Sequence, residues 1–418
     1  MNKVATSCGK WSFLFGGLLV SPALAADMPS PSQAASTASP AEAAESGAFD
    51  LSLQHVSEAW QNYGGIETGS DYMGSIDASL GVDLQKLLGI QDAKIFIEGY
   101  YVGGKSLDFN YTGALALPSA TDGLVAMRQL KLYQAYYQQK FGNLDVLLGK
   151  YDIQQQFATT PPMELFGNRS LGLSETIVLS GPNGVGTSTY PNTAVGTRVK
   201  YKLNDQWTVK FGMLDGVADN PDDSSTDFIF SSKYGVMGIG EVDYTPIART
   251  KLMVGGWGYT GKFDKTGEFN PDGTTQQTYG NSGVYVGGTT RVYTIAGSRG
   301  VDAFFTAGYS DPAINLVSEA ASAGITVTGL LESRPSDKFG AAVAVNRTSE
   351  GFRRLAALGG GHLPEQEIAF EVTYRARLND WLVLQPEVDY IMNPALAGNK
   401  KEAFVFGLHL ELSKLYNF

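Results

Sequence analysis

Thiol chemistry is the first thing this sequence lacks. Its single cysteine, Cys8, precedes the apolar run Trp11 to Val20, so the chain beyond that run offers no disulfide, thiolate metal ligand or cysteine nucleophile. Histidine is nearly as scarce: His55, His362 and His409 stand far apart and show no metal-ligand spacing, so no metal or cofactor is expected. Beyond the N-terminal segment no apolar run reaches the about 18 residues that a spanning helix needs, so a place in a membrane has to be built from strands. Positive charge is in deficit, with 31 Lys and Arg against 42 Asp and Glu and a net charge of −11. A nucleic-acid partner, which favours a basic patch, is therefore not expected.

The N-terminus carries Lys3 and Lys10, the apolar run, and the small-residue exit Ala23-Leu24-Ala25, which together read as a secretory signal over residues 1–25. A membrane anchor is the alternative, but the run is short for a span. Residues 26–48 are Ala, Ser, Pro and Glu with almost no large apolar side chain, a composition that cannot offset the entropy of ordering and reads as a flexible periplasmic linker. Residues 49–418 read as one β-rich unit.

Within that unit the pattern has period two. Ile368, Phe370, Val372, Tyr374, Ala376 and Leu378 alternate with Glu367, Ala369, Glu371, Thr373, Arg375 and Arg377, so one strand face is apolar and the other carries charges of both signs. Asn379-Asp380 reads as a two-residue turn, after which Leu382, Leu384, Pro386, Val388 and Tyr390 oppose Gln385, Glu387 and Asp389. Pro386 removes a ladder donor and reads as a bulge. A second hairpin sets Val199, Tyr201 and Leu203 against Arg198, Lys200 and Lys202, turns at Asn204-Asp205, and returns through Trp207, Val209, Phe211 and Met213. Long irregular stretches are expected at Asn110 to Thr121, Phe166 to Pro191, Gly216 to Ser225, Phe263 to Gly280 and Glu350 to Pro364. The last strand alternates Phe404, Phe406, Leu408, Leu410 and Leu412 with Val405, Gly407, His409 and Glu411, and the chain ends at Phe418.

A soluble sandwich also alternates. Segments near ten residues, tight turns alternating with long loops, aromatics at strand ends and an export signal favour an all-β, transmembrane antiparallel β-barrel with short periplasmic turns and long extracellular or inward loops. About 370 residues at about 23 per strand give 16 strands, and 18 also fit.

The run Arg128-Gln129-Leu130-Lys131-Leu132-Tyr133, then Leu147-Leu148-Gly149-Lys150-Tyr151-Asp152, Leu165-Phe166-Gly167-Asn168, Tyr190-Pro191 and Gln385-Pro386-Glu387-Val388-Asp389-Tyr390 resemble, in order, segments of the OprB-type carbohydrate-selective outer-membrane porins. The resemblance covers most of the chain after about residue 50. It implies a porin domain over 49–418 in the outer membrane of a Gram-negative bacterium, passing small sugars such as glucose through a water-filled pore narrowed by inward loops. Arg128, Lys131, Asp152, Gln154, Glu164, Arg169 and Tyr190 are the constriction candidates, because they lie on or beside the segments that match best; a solvated wall or a loop tie is the plain alternative for each. Expected partners are outer-membrane lipid and lipopolysaccharide and the barrel-assembly machinery that reads a terminal aromatic; an apolar outer face serves lipid and subunit contacts equally well, so monomer and homotrimer both stay open.

Other readings stand beside this one. Arg198, Lys200, Lys202 and Lys210 could select anions, although Glu367, Glu371, Glu387, Asp389 and Glu411 offset them, and a general-diffusion pore needs no selectivity at all. Gly181 to Ser188 imitates a phosphate loop but holds Thr187 where lysine belongs. A barrel enzyme would need a serine paired with His409, and no such partner is recognisable. A soluble, exported lectin-like protein is the remaining class.

Overall fold

The computed structural model describes residues 47–119, 121, 129–182, 186–219 and 234–418. The expected leader, most of the expected linker and candidate Arg128 lie outside them. Sixteen strands are present among the described residues: β1 (Phe49–Gly64), β2 (Gly69–Asp83), β3 (Ala93–Gly104), β4 (Gln129–Phe141), β5 (Leu144–Tyr151), β6 (Ala194–Lys202), β7 (Trp207–Asp215), β8 (Val236–Tyr244), β9 (Thr250–Phe269), β10 (Thr275–Ala296), β11 (Arg299–Ser310), β12 (Val317–Thr328), β13 (Lys338–Thr348), β14 (Gln366–Arg377), β15 (Leu382–Met392) and β16 (Glu402–Asn417). Each pairs antiparallel with its neighbours in sequence, and β1 pairs with β16, from Asp50 opposite Asn417 to Gly64 opposite Ala403. Closure leaves no sheet edge unpaired, which is what a strand-built span in lipid requires. The last residue finishes the seam: Phe49 and Phe418 exchange backbone bonds of 2.9 and 3.0 Å, and their rings stack at 5.7 Å.

The alternation is turned inside out relative to a soluble protein. Phe370 and Val372 are 43% and 48% exposed on the outer wall, whereas Glu367 and Glu371 on the same strand are 0% and 1% exposed in the lumen. The same polarity holds on β16, with Phe404, Phe406 and Leu408 outside and Val405, Gly407 and Glu411 inside. A charged side chain at the middle of the outer wall would cost about 2–4 kcal/mol, so this register is strongly fixed.

Four local expectations need correcting. The stretch Phe263 to Gly280 is not a loop: β9 and β10 continue through it as a tall hairpin, and only 270–274 turn the chain, closed by Asn270 N–H on Thr274 O at 2.8 Å. Most of its exposed residues, among them Lys262, Asp264 and Gln277, are polar, with Phe269 and Tyr279 interrupting them, so the hairpin shows no continuous apolar face to reveal its period. Pro386 marks no bulge, because β15 keeps one register against both β14 and β16. The ladder to β14 merely skips Tyr374 and Arg375, and Gln385 bridges the gap by donating to Thr373 Oγ1 at 3.0 Å and accepting from Arg375 at 3.2 Å. The two turns read as two-residue are three-residue turns, closed by Leu378 N–H on Leu382 O and Leu203 N–H on Trp207 O at 3.0 and 2.9 Å.

β4, whose two faces mix leucine, tyrosine and glutamine, contains a bulge: Glu98 pairs with Gln134 but Gly99 pairs with Leu132. Tyr133 and Gln134 therefore both face inward, and the strand changes parity halfway along.

Candidate pore constriction

Two loops fold into the barrel in their described parts, residues 105–119 and 121 between β3 and β4 and residues 152–182 and 186–193 between β5 and β6. The second holds Phe157, Met163, Leu165, Phe166, Leu171, Leu173, Ile177 and Val178, all nearly or fully buried. Such a segment would expose a large apolar surface if it projected into water. It instead packs on inward aromatic and aliphatic residues of the wall, Tyr136, Tyr151, Ile239, Trp257 and Tyr285 on one side and Phe304, Ala342 and Ala344 on the other. The wall is cut to receive it: a Cβ on Gly340 would lie 2.8 Å from both Leu165 and Phe166.

The loop backbones carry donors that leave water on entering the lumen, and buried carboxylates of the wall accept them. Glu367 accepts from the N–H groups of Leu115, Ala116 and Ala395 at 2.6–3.0 Å. Glu371 accepts from Gly167 and Asn168 at 3.1 and 2.8 Å, while Asn168 also donates to Asp389 at 3.1 Å. Glu241 accepts from Ala158 N–H at 2.6 Å and from Tyr285 at 2.9 Å, and pairs with Lys210 at 2.6 Å. Glu58 accepts instead from loop hydroxyls, those of Ser119 and Thr121 at 2.5 and 2.6 Å, and from the indole N–H of Trp60 on its own strand at 3.1 Å. Charged acceptors of this kind form the stronger class of hydrogen bond, and each satisfies donors that would otherwise be buried unpaired.

The sequence candidates fall into three places. Lys131, Asp152, Gln154 and Tyr190 gather around the tyrosine cluster Tyr100, Tyr133 and Tyr190, whose ring centroids are 5.1–5.9 Å apart. Lys131 donates to Asn192. Asp152 accepts from Tyr133 at 2.5 Å and from Gln154 N–H at 2.8 Å. Tyr190 donates to Thr121 O at 3.3 Å, and Tyr100 to Pro191 O at 2.6 Å. Burial pushes the Asp152 carboxyl up to about 6, against the opposing pull of these hydrogen bonds. Arg169 lies elsewhere, pairing with Glu175 at 2.6 Å and donating to Leu115 O at 2.9 Å, so that it ties one inward loop to the other. Glu164 sits in the turn Pro161–Leu165 and, like Gln154, is half-buried. Lys131, Asp152, Arg169 and Tyr190 are buried. The anchoring roles of Glu58, Glu241, Glu367, Glu371 and Asp389 were not signalled by the sequence beyond their inward phase.

Two other features fall into place. Of the basic row on β6 and β7, Arg198 pairs with Asp145 at 2.7 Å, Lys210 with Glu241 and Asp243, and Lys202 with Asp205, so the row is largely neutralised. His409 lies between carboxylates, with Nδ1 3.1 Å from Glu58 and Nε2 3.1 Å from Glu387. Both ring nitrogens are thereby occupied by acids rather than by a hydroxyl nucleophile.

Comparison with known proteins agrees with this architecture. Residues 67–413 match the model of the carbohydrate-selective porin, OprB family. Porin B of Pseudomonas aeruginosa is 26% identical over 405 residues, covering 87% of each chain. The high-pH structure of Pseudomonas putida OprB superposes with a TM-score of 0.75 at 22% identity, over 88% of this chain and 94% of that one. The outer-membrane channel DcaP of Acinetobacter baumannii superposes at 0.51 with 13% identity, over 90% and 100%. Fold and family alike point to a channel rather than an enzyme. The chain belongs to the OprB family of carbohydrate-selective porins, β-barrels of the Gram-negative outer membrane.

Proposed function

We propose that the protein lets small sugars such as glucose diffuse passively into the periplasm through a constriction framed by the two inward loops, without catalysing a reaction. The observation that carries this reading is the double attachment of those loops to the barrel wall, by apolar packing and by buried carboxylates. A constriction held in this way keeps a fixed cross-section. Gln154, Gln155, Gln156, Thr159 and Glu164 remain half-buried along the β5–β6 loop and supply paired donors and acceptors to sugar hydroxyls. Lys131, Asp152, Arg169 and Tyr190 act in this account by holding the loops in shape, and Arg128 joins the constriction on the family resemblance alone.

In the same reading, residues 1–25 direct export, 26–48 form a periplasmic linker, and β16 with Phe418 presents the barrel to its assembly machinery. The apolar outer wall meets lipid and lipopolysaccharide, or neighbouring copies in a homotrimer. Liposome swelling with refolded protein tests the proposal, comparing glucose with an uncharged amino acid and a sugar acid of similar size. Faster entry of glucose than of the equally small amino acid supports a sugar-selective constriction. Equal rates for all three reduce the channel to general diffusion.

A further inference from the structure

Below the turn Pro161–Leu165, toward the end of the barrel with short turns, the lumen opens into a cavity of about 410 Å³. Its wall is built from the inward positions of β9 to β13, and its roof from Pro161, Pro162 and Leu165. A roof of two prolyl rings and a leucine is an apolar plate. The wall opposite presents a planar polar group, since Arg291 binds Asp302 through two parallel bonds of 2.6 and 2.8 Å. Thr328 and Lys338 lie on the same wall, and neither makes a side-chain hydrogen bond or ion pair among the described residues. Lys251, by contrast, is committed to Asp243 at 3.1 Å and to Thr159 O at 3.3 Å.

An apolar plate facing a fixed array of donors and acceptors suits a pyranose, whose ring faces are apolar and whose rim is hydroxyl. The volume falls in the range of about 300–1,000 Å³ common for small-molecule sites. Charge adds a preference: Arg249, Lys251, Arg291 and Lys338 line the cavity with Asp302 as the one carboxylate, and Lys338 forms no ion pair among the described residues.

We infer that this cavity is a second, exit-side monosaccharide subsite, distinct from the loop constriction, in which Asp302, Arg291 and Thr328 bind sugar hydroxyls under the Pro161–Pro162 plate and Lys338 favours a sugar acid over an amino sugar. The inference rests on the sugar-channel reading above and adds a place where solute pauses after the constriction. Weak binding at such a second site assists transit, because conduction requires sites that both capture and release.

The test is the fluctuation of ion current through single channels of the full-length protein in planar bilayers, with glucose, glucuronate or glucosamine added to either side. Wild-type channels should be blocked by glucose, more strongly by glucuronate, and least by glucosamine. Asp302→Asn, which removes a charged acceptor, should weaken glucose block by about tenfold, and Thr328→Val by about fivefold. Lys338→Met should abolish the preference for glucuronate while leaving glucose block in place. Heat-modifiable migration on gels shows which variants have folded, and the three variants fail or fold independently. Glucose block in all three folded variants equal to wild type, with the glucuronate preference retained in Lys338→Met, overturns the subsite and leaves the sugar channel standing. Wild-type channels that no sugar blocks, together with equal swelling rates for glucose and an amino acid, overturn both.

Discussion

The two sides of the lumen hold the β5–β6 loop by different means. On the side of β14 and β15, buried acids accept loop N–H groups, as Glu371 does from Gly167 and Asn168 and Glu367 from three residues of two loops. On the side of β11 and β13, the loop lies against Phe304, Ala342 and Ala344 with Gly340 giving it room. The first attachment is directional and fixes the loop's height and rotation; the second is non-directional and supplies burial. β8 combines both, because Glu241 binds the Ala158 N–H and is itself held by Lys210 and Tyr285.

This contrast can be broken one attachment at a time. Lys210→Met leaves Glu241 and Asp243 with the more distant Lys251 as their one remaining cation among the described residues. Breaking a buried pair by removing one partner costs about 3–5 kcal/mol, so the urea midpoint of the refolded barrel should fall further than for Glu367→Ala or Gly340→Val. Glu367→Ala strands the donors of Leu115, Ala116 and Ala395, at about 2–3 kcal/mol. It should also raise single-channel conductance as the β3–β4 loop lifts from the wall. Gly340→Val forces a side chain against Leu165 and Phe166 at about 1–3 kcal/mol, displacing the loop toward the pore axis and lowering conductance. The opposite signs of the last two conductance changes distinguish a tether from a seat.

The smallest effect is expected from pH. Burial raises the Asp152 carboxyl to about 6, above its value of about 3.9 in an unfolded chain. Its ionisation therefore weighs against the folded state above about pH 6, and that penalty is withdrawn as pH falls through the window down to about 4. Asp152→Asn removes this titration, so the stability difference between parent and variant should change between pH 7 and pH 4, as followed by the unfolding midpoint. A constant difference across that range contradicts the assignment.

Most of the barrel was legible because period two survives wherever one face meets lipid. It failed where that face is absent or interrupted. The upper half of β9 and β10 is mostly polar outside and passed for a loop, and the bulge at Tyr133–Gln134 swaps the faces of β4 within one strand. The site was less legible than the fold. Inward acids such as Glu371 could be placed in the lumen by phase alone, but their partners are backbone N–H groups up to 252 residues away, and no side-chain pattern records them. Family resemblance named Lys131, Asp152, Gln154, Glu164, Arg169 and Tyr190 together as constriction candidates, whereas the structure sets Lys131, Asp152, Gln154 and Tyr190 around the tyrosine cluster, Arg169 between two loops and Glu164 on the turn Pro161–Leu165.

The most direct test of the account is the ratio of glucose to amino-acid swelling rates for the wild type and for a Glu367→Ala, Glu371→Ala double variant that folds. A tethered constriction predicts a ratio above one in the wild type that falls to one in the double variant, while both absolute rates rise. An unchanged ratio would mean that the carboxylate tethers do not set the selective cross-section.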